Sequence, residues 1–319
     1  MAAANLPNLA EMLGGDFHEE PLYAENVTKL TKQQAICVRA AKKIEKQCTD
    51  IEMEFFTKVH ELETQFQARF KELTDKRLQI INGGISVSET DVADMPLIYG
   101  LPEDALKQVV DGLKEDDSSV KGVPDFWLHA LQNCPTVEEM VEEVDIPILK
   151  HLKNIESELT KEPMGFILRF TFEENEYFSN TVIDKTYYYK LAPSEAPPHL
   201  FDGPIIDTCK VTPIEWKEGK NPCFKLVKRK QKKAKSGSGR FVTKQVAQAS
   251  FFNFFAEDMS PETAESDFEI SSLLREQVIP HATVYFTGEL HDGDDFDDED
   301  SFGSFEDGDD EDGEEEHEH

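Results

Sequence analysis

Between Leu22 and Asn82 the chain contains neither glycine nor proline and is rich in Lys, Glu, Gln, Ala and Leu. Nothing in that stretch would end a helix, and Asn82-Gly83-Gly84 supplies a left-handed stop. Within it the apolar series Ile44, Cys48, Ile51, Phe55, Val59, Leu62, Phe66, Phe70, Leu73 steps by 4, 3, 4, 4, 3, 4, 4, 3, an eleven-residue repeat. That period, about 3.67 residues per turn, keeps the seam on one face with little supercoil. A rod of about fifty residues would be about 75 Å long, whereas a compact globule of this chain length is only about 50 Å across. Full burial of each large seam residue is worth about 1.5–3 kcal/mol, so the seam predicts a homodimer. A long helix folded back on its own chain is the competing reading.

Beyond the helix, residues 85–122 read as a small helical insert with one amphipathic stretch, Glu103 to Leu113. Helices are expected from Pro124 to Leu131 with Asp125 as N-cap, from a capping box at Thr136 to Glu139, and from Asp145 to Leu159. The period then changes to that of strands. Phe166 to Phe172 and Thr181 to Tyr189 flank Glu173-Glu174-Asn175-Glu176 in the layout of an antiparallel hairpin. Further strands are expected at Asp207–Val211, Ile214–Trp216, Phe224–Lys228 and Arg240–Gln245, and a helix from Glu262 to Val278. Runs of helix, then strand, then helix argue an α+β fold.

Charge narrows the partners. The 319 residues carry 65 acidic and 33 basic side chains, a formal charge of −32. The stretch from Glu289 onward holds 18 acids and no Lys or Arg, and composition there predicts a disordered acidic tail. Lys217 to Lys244 is the one basic island, with 11 Lys or Arg against one acid. It reads as a protruding β-hairpin around Ser236-Gly237-Ser238-Gly239. Its cluster Lys228, Arg229, Lys230, Lys232, Lys233 and Lys235 serves nuclear import, contacts nucleic acid, or is simply solvated. So acidic a surface disfavours attachment to bare DNA or an anionic membrane and favours a polycation.

No chemistry-bearing motif emerges. Phosphate-cradling glycine patterns and the nucleophile elbow are missing, and His60-Glu61 has no second histidine at metal spacing and reads as a surface pair. Asp292, Asp294 and Asp297 resemble a calcium loop, yet the required sixth-position glycine is Asp297. No catalytic residue, metal site or cofactor is therefore expected. The five cysteines are widely spaced and fit small core groups in a reducing compartment, and neither a leader nor a membrane span is expected, since no basic stretch precedes an apolar one near Met1 and no apolar run reaches about 18 residues.

Several ordered motifs make the chain similar to a known family. They are Phe66-Gln67-Ala68-Arg69-Phe70, Val123-Pro124-Asp125-Phe126-Trp127-Leu128, Phe172-Glu173-Glu174-Asn175-Glu176-Tyr177-Phe178, Lys185-Thr186-Tyr187-Tyr188-Tyr189, Ile214-Glu215-Trp216-Lys217-Glu218-Gly219, Ser250-Phe251-Phe252-Asn253-Phe254-Phe255 and Ile279-Pro280-His281-Ala282. Over about residues 20–290 the chain resembles the nucleosome assembly protein family of histone chaperones. The resemblance implies an antiparallel dimer of long helices and an α+β domain with a four-stranded antiparallel sheet, whose acidic concave underside receives core histones. It also implies ATP-independent nucleosome assembly, histone import through an import receptor, and shuttling between nucleus and cytoplasm. The divisions expected on this basis are an arm (1–28), the dimerisation helix (29–82), the insert (83–123), a histone-binding domain (124–290) and the tail (291–319). Histone contacts are expected at Glu173, Glu174 and Glu176 and at Glu257, Asp258, Glu262, Glu265, Asp267 and Glu269. A regulator resembling the SET branch of the family, acting as a phosphatase inhibitor, is the alternative.

Overall fold

The computed structural model describes residues 24–115, 119–191, 201, 203–230, 241–256 and 261–290. The expected acidic tail, most of the N-terminal arm, the hairpin tip with Lys232, Lys233 and Lys235, and Glu257 and Asp258 lie outside them. The described residues fall into two compact units. One is drawn from Met1–Phe70, Leu159–Phe166 and Tyr187–Cys209, the other from Lys71–Glu158, Ile167–Thr186 and Lys210–His319.

The long helix is present as α1, Lys32–Ile81, 50 residues. It starts later than the absence of breakers suggested, after a short 3-10 turn at Glu25–Lys29. A reciprocal capping box sets the start: the Gln34 amide N–H donates to Thr31 Oγ1 and the Thr31 amide N–H to Gln34 Oε1. At the other end Gly83 takes φ +70°, with Gly84 N–H bonded to the Gln79 carbonyl and Gly83 N–H to that of Ile80. That is a Schellman ending, and it needs the glycine because Gly122 backbone leaves no room for a Cβ there.

Two stripes run along α1. Met53, Thr57, His60, Thr64, Gln67, Lys71, Thr74, Leu78 and Ile81 alternate steps of four and three and turn toward the chain's own residues. In the first unit His60 Nε2 lies 2.7 Å from the Thr160 carbonyl, and Gln67 Oε1 accepts from Leu159 N–H. In the second, Lys71 reaches Glu156 at 3.1 Å. His60 is thus buried, at 6 % exposure, rather than a surface residue. The apolar seam lies on another side of the helix.

A four-stranded sheet, in the order β1-β2-β3-β4, is built from Leu152–Thr160, Gly165–Phe172, Val182–Lys190 and Ile205–Val211. β1 overturns the helix expected to run through Leu159. Leu149, Leu152, Ile155 and Leu159 have helical spacing, but only Ile146–Leu149 is helical, and β1 instead pairs with β2, with Leu152 and Ile155 in the core. Tertiary pairing overrides local pattern here. The strand expected at Ile214–Trp216 is reduced to one bridge, Phe178 with Trp216. The basic island forms the expected antiparallel hairpin, β5 (Phe224–Lys230) with β6 (Phe241–Ala247), in register from Phe224–Ala247 to Lys230–Phe241.

The remaining helices are α2 (Glu103–Asp111), α3 (Phe126–Gln132), α4 (Pro135–Glu138), α5 (Ile146–Leu149), α6 (Pro261–Leu273) and α7 (Ala282–Thr287). A π-helical turn, Leu274–Val278, ends the expected 262–278 helix. Asp125 does stand at the N-cap of α3, but with φ +56° and no side-chain cap bond. α4 starts after Cys134 without the expected box. Of the cysteines only Cys134 is buried, while Cys37 and Cys48 are exposed, since both fall on open faces of α1.

The second unit's core is aromatic. Phe251–Phe255 forms a 3-10 turn that puts four phenylalanines inside. Phe252 meets Trp216 edge-on at 5.2 Å, and Phe255 meets Phe170 at 5.0 Å. Buried Asp145 fixes this turn, accepting from Ser250 Oγ at 2.6 Å, Phe251 N–H at 2.7 Å and Glu142 N–H at 3.0 Å.

Candidate functional site

In the second unit the sheet has one face in the core and one outside it. Along β2, Leu168, Phe170 and Phe172 are buried and alternate with half-buried Ile167, Arg169 and Thr171. β3 repeats the pattern, with Ile183 and Lys185 inside and Asp184 and Thr186 on the other face. That outer face carries a charge cluster. Arg169 grips Asp184 with two bonds of 2.9 and 3.0 Å, and its remaining nitrogen lies 3.3 Å from Glu158 and 3.6 Å from Glu156. The hydrogen bond to Asp184, helped by the charges of Asp184, Glu156 and Glu158, raises the guanidinium pKa despite partial burial.

The loop after β2 holds the hairpin acids. It is shaped by Asn175, whose Oδ1 accepts from Tyr177 N–H (2.9 Å) and Phe178 N–H (3.0 Å). Glu173 receives His151 at 3.0 Å and Lys153 at 2.9 Å. Partial burial would push its carboxyl up, but the combined bonds and charges of Lys153 and His151 win and hold it below the ordinary range. Glu176 bonds Lys220 at 2.6 Å, which lowers its pKa as well. Glu174 is exposed, and no bond or ion pair engages it among the described residues.

The acids beyond the aromatic turn divide likewise. Asp267 on α6 pairs with Lys185, which is only 1 % exposed. Glu269 is exposed and unpaired among the described residues, and Glu262 and Glu265 occupy helix positions on the same stripe as Glu269. The sheet thus brings Glu173, Glu174 and Glu176 into one loop, while α6 carries Glu262, Glu265, Asp267 and Glu269 on two different sides. Asp267 is on the inward side, one turn before buried Ser271.

Sequence reasoning missed Glu156, Glu158 and Asp184, the first two because their strand was read as helix. It also missed Lys185, although a lysine between Ile183 and Tyr187 in a strict alternation is a core position that demands an acidic partner. Open carboxylates on such a surface can neutralise many cationic side chains at once, each exposed pair contributing about 0–1 kcal/mol.

The residues expected to form the dimer seam lie largely open. Ile44, Cys48, Ile51, Phe55, Leu62, Phe66, Phe70 and Leu73 are exposed, and Val59 is half-buried. Apart from Cys48 and Val59, the seam side chains are 41 to 67 % exposed. A contiguous apolar strip of this length on one helix face marks an interaction surface. On the hairpin, Lys228, Arg229 and Lys230 belong to β5.

The sequence profile of the nucleosome assembly protein (NAP) family matches residues 37–289. The chain is 41 % identical over 295 residues to nucleosome assembly protein 1-like 1 of Xenopus tropicalis, covering 87 % of this chain and 74 % of that protein. It is 37 % identical over 314 residues to nucleosome assembly protein 1-like 4 of Mus musculus, covering 92 and 83 %. Among solved structures, nucleosome assembly protein 1 from Plasmodium knowlesi superposes with a TM-score of 0.51 at 27 % identity, over 82 % of this chain and 99 % of that one. With this family profile spanning most of its length, the chain belongs to the nucleosome assembly protein family.

Proposed function

We propose that the protein is an ATP-independent chaperone of core histones. Two copies join through the seam of α1 and present open carboxylates to the cationic cargo. The chaperone shields histone lysines and arginines from nonproductive DNA contacts and yields the cargo when DNA, with its denser line of charge and its gain from counterion release, competes for it. Weak exposed pairs make affinity a sum over many contacts, which suits a cargo that has to be given up. The basic hairpin, through Lys228, Arg229, Lys230, Lys232, Lys233 and Lys235, engages an import receptor, and the protein shuttles between cytoplasm and nucleus. Bare DNA binds weakly at most. The observation that carries the reading is the excess of 65 acids over 33 bases in a chain whose relatives are named for nucleosome assembly.

Among the acids, Glu174 and Glu269 are the best supported contacts because both are exposed and uncommitted. The test is supercoiling of relaxed plasmid by core histones with this protein and no nucleotide, together with histone affinity at about 0.15 M salt. Supercoiling and a steep loss of affinity with salt are expected. Absence of both overturns the reading. Reversing Glu174 and Glu269 to Lys lowers affinity several-fold; an unchanged affinity removes them from the contact surface.

A further inference from the structure

Lys185 is the one buried lysine of the described core, and the proposed chaperone activity assigns it no part. It leaves β3 on the core side, between buried Ile183 and Tyr187. Its ammonium group reaches two separate elements among the described residues. It donates to the Phe254 carbonyl at the end of the aromatic turn and to Asp267 Oδ1 on α6, and it stands 3.7 Å from the centre of the Phe254 ring.

What Lys185 holds is unusual for a packed helix. From Pro261 to Leu273, α6 contains Glu262, Glu265, Asp267 and Glu269 and no basic residue. Between Ser266 and Leu273 the only fully buried residue is Ser271, a polar one; Phe268, Ile270 and Leu273 are half-buried. Beyond Leu273, Leu274 and Val278 in the π-helical turn are fully buried apolar side chains. Apolar burial therefore fastens the C-terminal end of this helical stretch, and from Ser266 to Leu273 no apolar side chain is fully buried. An ammonium group beneath those residues supplies the attachment, and it supplies it at Asp267, on the side away from the Glu269 stripe. Because the two charges sit in low dielectric, the pair is costly to break from one side only.

We propose that Lys185 is a positioning residue. By bonding both Phe254 and Asp267 it seats the acidic half of α6 against the sheet and fixes the direction in which the Glu269 stripe faces cargo. The last clause rests on the histone-chaperone reading; the seating of the helix does not.

The experiment uses the full-length protein with Lys185→Met, which keeps the side-chain length and removes the charge, and with Lys185→Arg, which keeps the charge. Hydrogen exchange is read peptide by peptide, and affinity is read against purified core histone dimers. In Lys185→Met, amides of 261–273 exchange at least about tenfold faster while those of β2 and β3 keep their protection, and histone affinity falls by about three- to tenfold. Lys185→Arg recovers most of both. Unchanged exchange in α6, or exchange that rises equally throughout the protein, overturns the proposal. Faster exchange in α6 with undiminished histone affinity overturns the positioning role. If Lys185→Met does not fold, Lys185→Met with Asp267→Leu, which leaves neither partner charged in the core, is read by the same criteria. If the unmodified protein ignores histones, the chaperone reading falls, and α6 exchange still decides whether Lys185 seats the helix.

Discussion

Phe55 and Phe56 are neighbours in sequence and should answer to substitution in opposite ways. Phe55 is 61 % exposed on the seam of α1. Phe56 is half-buried and packs edge-on against Phe201 of its own unit at 5.9 Å. Burying a whole phenylalanine is worth up to about 3 kcal/mol, so covering the exposed fraction of Phe55 contributes about 1.5 kcal/mol. A symmetric dimer loses that twice, about 3 kcal/mol, or about two orders of magnitude in the dissociation constant. Phe55→Ala should thus move the monomer–dimer midpoint about a hundredfold upward in concentration while leaving the helical signal of the dimer intact. Phe56→Ala should instead lower the unfolding midpoint by about 1–3 kcal/mol through the cavity it leaves, with little change in association. The Phe55–Phe56 ring contact of 5.6 Å is lost in both, so the comparison cancels it. Sedimentation equilibrium across a concentration series measures the first effect, and urea unfolding at fixed concentration measures the second. An unchanged dimer in Phe55→Ala, or a weakened dimer in Phe56→Ala alone, refutes the assignment of the seam.

Two further predictions concern the second unit. Asp145→Ala leaves Ser250 Oγ and the amides of Phe251 and Glu142 without their acceptor and should destabilise by about 3–5 kcal/mol in urea unfolding, with Asp145→Asn milder. Glu173 has a folded pKa below its unfolded value, so its contribution is present above the ordinary carboxylate pKa and disappears as pH falls through the lowered one. Glu173→Gln should therefore be less stable than the unmodified protein near neutrality and equal to it in strong acid; thermal melts between about pH 3 and 7 that show a constant gap contradict the assignment.

The parts of the fold legible in the sequence are those where local pattern and tertiary demand agree. The 50-residue helix, its glycine ending, the β2–β3 hairpin and the lysine-rich hairpin carry periodicity or turn chemistry strong enough to stand alone. β1 was illegible because its core residues happen to repeat at helical spacing, and only the neighbouring strand makes it extended. The candidate site was legible as a set of acids and illegible as a geometry. Composition cannot distinguish Glu174, which is open, from Glu173 and Glu176, which are held by His151, Lys153 and Lys220. Nor can it tell that Asp267 turns inward to Lys185 while Glu269 turns out. Those distinctions depend on which cation the fold brings alongside.

The two stripes of α1 restrict how its length can change. An added residue rotates everything after it by about 100° about the axis, which would carry His60 off the Thr160 carbonyl and Gln67 off the Leu159 amide and swing the phenylalanines elsewhere. Seven or eleven added residues return the rotation to within about 20°. In the proposed dimer the span between the two copies is thus adjustable only in discrete increments, and a redesign with a wider or narrower reach would have to be lengthened or shortened in those units.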